Sequence, residues 1–283
     1  MENTLSDVRV INTKLRDLKT EDTPIPGIKL AENLRKSLLR LKGRFISEDG
    51  KSVNYLQMKE SPEFRAYLTD ANDLCRVDLS HMSEVERKVF FLNIYNSLTI
   101  HGLLEQPALP DSVLSVRQFF KTTAYNIGGH VYSLDDIEHG ILRCNNSHPA
   151  SITPQFPPDD PRLKFICHTL DPRIHFALVC GAKSCPAISV YSVENIDSAL
   201  DKATRNFCGQ EVEIKARGDE IAISKLFQWY RSDFGKDDID VLKWIQNYLG
   251  PSEQDKFSII VLKLEMMGHV NISYRDYNWT INK

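Results

Sequence analysis

Apolar positions recur at helical spacing over about Leu30 to Lys42 (LAENLRKSLLRLK), and the run meets Gly43, a residue type that closes helices. A second helix is predicted over about Ser61 to Asn72, with Phe64 and Leu68 one turn apart. Ser83 followed three residues later by Glu86 is a capping box, opening a helix to about Glu105 through FFLNIYNSLTIHGLLE. That helix is apolar nearly all round, which predicts a buried central element. Within it Asn93, Asn96, Ser97 and His101 share an arc of about 140°. Buried polar groups cost on the order of 1–3 kcal/mol each unless hydrogen-bonded, so these four either brace a neighbouring loop or line a site.

Pro107 and Pro110 end the helix. Tyr125 to Ser133 predicts a hairpin turned by Gly128-Gly129, and Ser133 with Asp136 starts a short helix, LDDIEHGILR. Cys144 to Arg162 is a Pro- and Asn-rich connection without periodicity. Beyond it, IHFALVC reads as a buried strand that leads through a loop at Gly181 to Pro186 towards a helix near Glu194 to Phe207. EVEIKA and EIAIS read as a strand pair, and helices follow over about Lys225 to Phe234 and Asp240 to Leu249. FSIIVLKLE and HVNISY read as closing strands. The class is α+β: a single domain with a helical N-terminal part and a small mixed or antiparallel sheet. Residues 1–80 are read as a helical arm and 81–283 as the core.

Composition narrows the function classes. The 283 residues carry a net charge of −3 and no basic block, which argues against nucleic acid as a partner. No apolar run is long enough to span a bilayer, and the N-terminus lacks the pattern of a signal peptide, so the expected location is cytoplasmic. Six scattered cysteines are then expected to be mostly buried thiols rather than disulfides, and a reversible Cys180–Cys185 disulfide is not the expected state in a reducing compartment. No Gly-rich phosphate loop, HExxH or GxSxG occurs, and no cofactor is expected.

The candidate chemistry centres on Cys185 in CGAKSCP. A thiol in a strand-to-helix turn lies near free backbone N–H groups that favour the thiolate and hold an oxyanion, with Lys183 acting in the same direction. The competing reading is an inert buried thiol. Cys180 is expected to pack in the core. A thiol nucleophile needs a base: His139, one turn after Asp135, and His175 are the candidates, each weighed against an exposed pair or a satisfied core histidine. Asn96, or Asn93, would orient that base. Glu138 adjoins His139 and would brace Arg143 or a loop, or join the site.

Several segments together resemble the domain of unknown function 547 family: FFLNIYNSLTIHGLL, IGGHVYSLDDIEHGILR, DPRIHFALVCGAKSCPAISVY, ISKLFQWYRSDF and the Tyr-Asn-Trp-Thr-Ile-Asn ending. They span about Glu86 to Asn282. The resemblance implies no settled reaction; similar domains stand behind coiled-coil segments or beside signalling and glutaredoxin-like modules. By analogy of residue order alone, a histidine ahead of the cysteine suggests a permuted papain-like arrangement. The expectation is a cysteine-dependent hydrolase or acyltransferase, with Cys185 as nucleophile, His139 or His175 as base, and a small acyl or amide substrate. Its rivals are a non-catalytic interaction domain with an unknown protein partner and a metal site of His139, His175 and Cys185.

Overall fold

The capping box forms as expected: Glu86 N donates to Ser83 Oγ, and Ser83 N donates to Glu86 Oε2 at 2.8 Å. This is seen in a computed structural model that describes residues 8–12, 24–48, 52–185, 189–215, 220–268 and 271–283. The described residues of Met1–Leu170, Leu178–Ile196 and Trp279–Lys283 make one compact unit, and those of Asp171–Ala177 and Asp197–Asn278 a second.

In the first unit the helices are α1 (Gly27–Arg44), α2 (Tyr55–Glu60), α3 (Pro62–Asn72), α4 (Glu84–Leu104) and α5 (Phe119–Thr122). A small mixed sheet joins β1 (Arg9–Val10), parallel to β2 (Thr123–Ile127), and β3 (His130–Ser133), antiparallel to β2. Helix α4 is the centre: every residue from Val89 to Leu104 is buried, and α1 packs along it with Ala31, Leu34, Leu38 and Leu41. The helical N-terminal segment therefore shares a core with the elements that follow it.

The second unit holds most of α6 (Ile196–Glu211), then α7 (Lys225–Trp229), α8 (Arg231–Phe234), α9 (Asp238–Gln246) and α10 (Pro251–Met267). Its sheet runs β4 (Glu213–Ile214), β5 (Glu220–Ser224), β6 (Asn271–Arg275), with β6 parallel to β5. Phe176, Phe227, Phe234 and Leu242 stand in its core. The α+β class is thus as read, with two mixed sheets of three strands.

Five local expectations are corrected. Helix α1 runs through Gly43 to Arg44, because Phe45 N reaches back to Leu41 O and closes the turn one residue later. FSIIVLKLE is not a strand but the body of α10, begun by Pro251 and burying Phe257, Ile260, Val261 and Leu264 at helical spacing. IHFALVC is not a strand either. Asp171 accepts from Arg173 N and caps a 3₁₀ turn over Pro172–Phe176, and Val179 N then donates to the Asn96 side chain rather than to a ladder. The helix expected near Glu194 starts at Ile196, but the strand-to-helix turn expected at Cys185 is not found: no helix N-terminus among the described residues stands at the thiol. The expected 225–234 helix breaks at Tyr230 into α7 and α8.

LDDIEHGILR is helical but wound as a π-helix over Asp136–Leu142. Arg143 N donates to Glu138 O and Asn145 N to Gly140 O, each five residues back. At Gly140 the Phe156 ring occupies the space a Cβ would need, so a side chain does not fit there. The Cys144–Arg162 connection is irregular but tied down: Asn145 and Phe156 exchange two hydrogen bonds, and Arg162 pairs with Asp136 and Asp160.

Candidate functional site

Two free thiols meet in the CGAKSCP segment. Cys180 Sγ lies 2.9 Å from Cys185 Sγ, and both residues are half-buried. The turn between them is shaped by its neighbours. Gly181 has φ +88°, and a Cβ there would press on Leu103 Cδ1. Ala182 bridges Ile281, Lys183 N donates to Thr280 O, and Cys185 N donates to Ala182 O. The Cys185 amide, expected to hold an oxyanion, is thereby engaged inside the turn.

Two buried amides of α4 hold the flanks of this turn. Asn96 Oδ1 accepts from Val179 N at 2.7 Å, immediately before Cys180. Asn93 exchanges a pair of bonds with the Tyr191 backbone, 2.7 and 3.1 Å. His101 Nδ1 and the Tyr67 hydroxyl both meet the Tyr125 hydroxyl at 2.7 Å. Asn93 and Asn96 thus hold loop backbone, while Ser97 Oγ donates to Asn93 O within the helix and His101 meets a tyrosine of β2.

Cations come from α1. Arg35 lies on the buried stripe of that helix, and Lys42 is two turns further on the same face. Arg35 Nε donates to Ser189 O at 3.1 Å, but Nη1 and Nη2 meet no hydrogen-bond partner among the described residues. Burial lowers its pKa to about 10, with Tyr191 and Tyr67 opposing the shift. Lys42 is lowered first by burial, then by Arg35, with Cys185 acting in the opposite direction. Burial also raises the Tyr55 phenol, with a smaller contribution from Cys185. The other thiols differ: burial pushes Cys167 and Cys208 up to about 12.

His139 is seated in a different constellation. Its Nε2 faces Asp135 Oδ1 at 3.9 Å, its Nδ1 meets Arg143 Nη1 at 2.9 Å, and its ring is edge-on to His148. Glu138 is buried beside it and accepts from the Tyr95 hydroxyl at 3.0 Å. Burial, then Glu138, raises the Asp135 carboxyl to about 7. Asp135, His139 and His148 are within ligand distance of one another, a donor set that suits a divalent cation. Their protons do not fit one. The guanidinium can only donate, so His139 Nδ1 accepts; His148 Nδ1 accepts from Ala150 N. Each neutral ring therefore carries its proton on Nε2, the nitrogen a metal would require bare.

His175 belongs to the second unit, where Nε2 bonds Asp233 Oδ2 at 2.8 Å and the ring stacks on Tyr230 at 3.9 Å. The structure thus joins Cys185 to Cys180, His139 to Asp135, Arg143 and His148, and His175 to Asp233. Sequence reasoning missed Arg35, Lys42 and His148. Arg35 had a signal, a charge set on an apolar helix stripe; His148 lies in a loop without periodicity and had none.

The family described as protein of unknown function, DUF547, matches residues 79–208. No curated protein and no solved structure matches the chain. No helix among the described residues is long and apolar enough to cross a membrane.

Proposed function

We propose, for a chain whose residues 79–208 belong to the DUF547 family, thiol–disulfide exchange at Cys185 with Cys180 as the resolving thiol. The observation that carries this reading is the 2.9 Å approach of the two half-buried sulfurs. Exchange proceeds by attack of a thiolate on a disulfide sulfur. The Cys185 thiolate attacks, forming a mixed disulfide and releasing one half of the substrate as a thiol. Cys180 then attacks Cys185 Sγ, closing the Cys180–Cys185 disulfide and releasing the second half. The protein dithiol is oxidised, the substrate disulfide is reduced, and the two thiol protons end on the two released thiols. Lys42 favours the thiolate by charge, taking the part first assigned to a helix N-terminus. In a cytoplasmic setting the couple rests as the dithiol.

The test is titration in thiol–disulfide buffers of graded potential, followed by alkylation and mass spectrometry. The reading expects a reversible Cys180–Cys185 disulfide, and a mixed disulfide trapped at Cys185 in Cys180→Ser. A protein that stays fully alkylated in the most oxidising buffer has no such couple.

One observation favours a second reading, the cysteine hydrolase or acyltransferase. Asp135 and His139 are buried side by side with Oδ1 and Nε2 3.9 Å apart, and a carboxyl so placed would orient a general base once it ionised and closed to hydrogen-bond distance. Cys180→Ser separates the two, because it abolishes exchange and leaves acyl transfer in place.

A further inference from the structure

The guanidinium of Arg35 is unusual for its surroundings. The residue is fully buried, yet only Nε is used, by a carbonyl, and both terminal nitrogens lack an acceptor among the described residues. The Tyr191 hydroxyl is likewise buried and without a partner there. Tyr191 supplies no counter-charge, because burial pushes its ionisation up to about 12. A second cation, Lys42, stands on the same helix face although each charge disfavours the other. A buried charge without a partner is among the most costly features a fold carries, and two cations held together make it worse. Nearby segments are arranged to keep this group in place: Ser189 O takes Nε, and Asn93 clamps Tyr191 at both backbone atoms.

We propose that Arg35, Tyr191 and Lys42 receive an oxyanion, a carboxylate or a phosphate, carried by the small-molecule disulfide or thiol that reacts at Cys185. The proposal rests on the exchange reading above and names its substrate class. Two guanidinium N–H groups in a fixed fork match two oxygens of either anion, and the Tyr191 hydroxyl supplies a third donor. The two halves of the site share a segment: Arg35 Nε is bonded to Ser189 O, four residues beyond Cys185, and Lys42 stands two turns beyond Arg35 on the same helix face. The anion anchors one end of the substrate and leaves its sulfur to meet the Cys185 thiolate. Neutral and cationic disulfides lack the anchor.

The experiment follows mixed-disulfide formation at Cys185 by mass spectrometry in the full chain carrying Cys180→Ser. Three probes are compared at one ionic strength: 3,3′-dithiodipropionate, 2-hydroxyethyl disulfide and cystamine. The dicarboxylate is expected to react about tenfold or more faster than the neutral probe, with cystamine slowest. Arg35→Gln and Lys42→Gln are each expected to bring that ratio within about threefold. Lys42 is only partly buried, so its variant tests the idea even where Arg35→Gln fails to fold. Equal rates for the three probes, or a preference kept in both variants, overturn the anion site and leave the exchange reading intact. Failure of every probe to modify Cys185 overturns the exchange reading instead. The anion site is then judged by calorimetry with orthophosphate and with propionate. Binding of either one, lost in Lys42→Gln, supports it and identifies the anion; binding of neither overturns it.

Discussion

Arg143 donates from Nη1 to Nδ1 of His139 at 2.9 Å, and so sets the imidazole proton on Nε2, the nitrogen that faces Asp135. A cation at Asp135, His139 and His148 would have to displace that proton and reverse the ring's hydrogen bonding. The protein is therefore expected to bind zinc or manganese only weakly, and Arg143→Ala, which frees Nδ1 to take the proton, to bind about tenfold or more tightly than the parent. Equilibrium dialysis with metal analysis checks both.

Asp135 gives a pH dependence of defined sign. Its carboxyl titrates near 7 in the fold, against an ordinary value of 3.8. Between about pH 4 and pH 7 the unfolded chain has released a proton that the folded chain keeps, so this group lowers stability as pH rises through that window. The loss amounts to at most about 4 kcal/mol, since each tenfold difference in proton affinity between the two states is worth about 1.36 kcal/mol. Asp135→Asn is expected to remove the decline. Urea unfolding at several pH values tests it; parallel curves for the two proteins would refute the assignment.

Thiol reactivity should divide the cysteines. Cys185 is expected to be alkylated by iodoacetamide well before Cys167 and Cys208, whose thiols are buried and raised to about 12. Lys42→Gln is expected to slow Cys185 several-fold and leave the buried pair as they were. Peptide mass spectrometry against time separates the sites.

Much of this was legible in the chain. Ser83 and Glu86 announce the start of α4, Gly128-Gly129 marks the hairpin, and the buried Asn93–Asn96 arc called for hydrogen-bond partners, in a loop or in a site. The misreadings share a cause. IHFALVC and FSIIVLKLE are short apolar runs, in which period alone does not separate strand from helix; Asp171-Pro172 and Gly250-Pro251 decided both as helix starts. The π-winding at Glu138 and His139 appears in the five-residue hydrogen bonds of Arg143 and Asn145, and the Phe156 ring over Gly140 is a contact sixteen residues away; no local pattern records either. The approach of Cys180 to Cys185 turns on Gly181 taking a left-handed φ.

The bracing amides offer a test of the loop itself. Asn93→Ala leaves the Tyr191 N–H and C=O without their partners in a buried setting, and is expected to cost about 2–4 kcal/mol; Asn96→Ala, which removes the acceptor of Val179 N–H, about 1–3 kcal/mol. Denaturant unfolding gives both values. Because Asn96 holds the residue before Cys180, its variant is also expected to slow formation of the Cys180–Cys185 disulfide.

The turn bearing the two sulfurs is held by residues almost a hundred positions downstream, through Lys183 N to Thr280 O and the Ala182–Ile281 bridge. During synthesis both cysteines emerge long before Thr280 and Ile281, the residues that shape their turn. For that interval they are ordinary thiols on a nascent chain, open to whatever oxidant or chaperone they meet. A ribosome that stops short of Thr280 releases a polypeptide with every cysteine present and the turn unmade. Maturation of the thiol pair thus waits on the synthesis of Thr280 and Ile281.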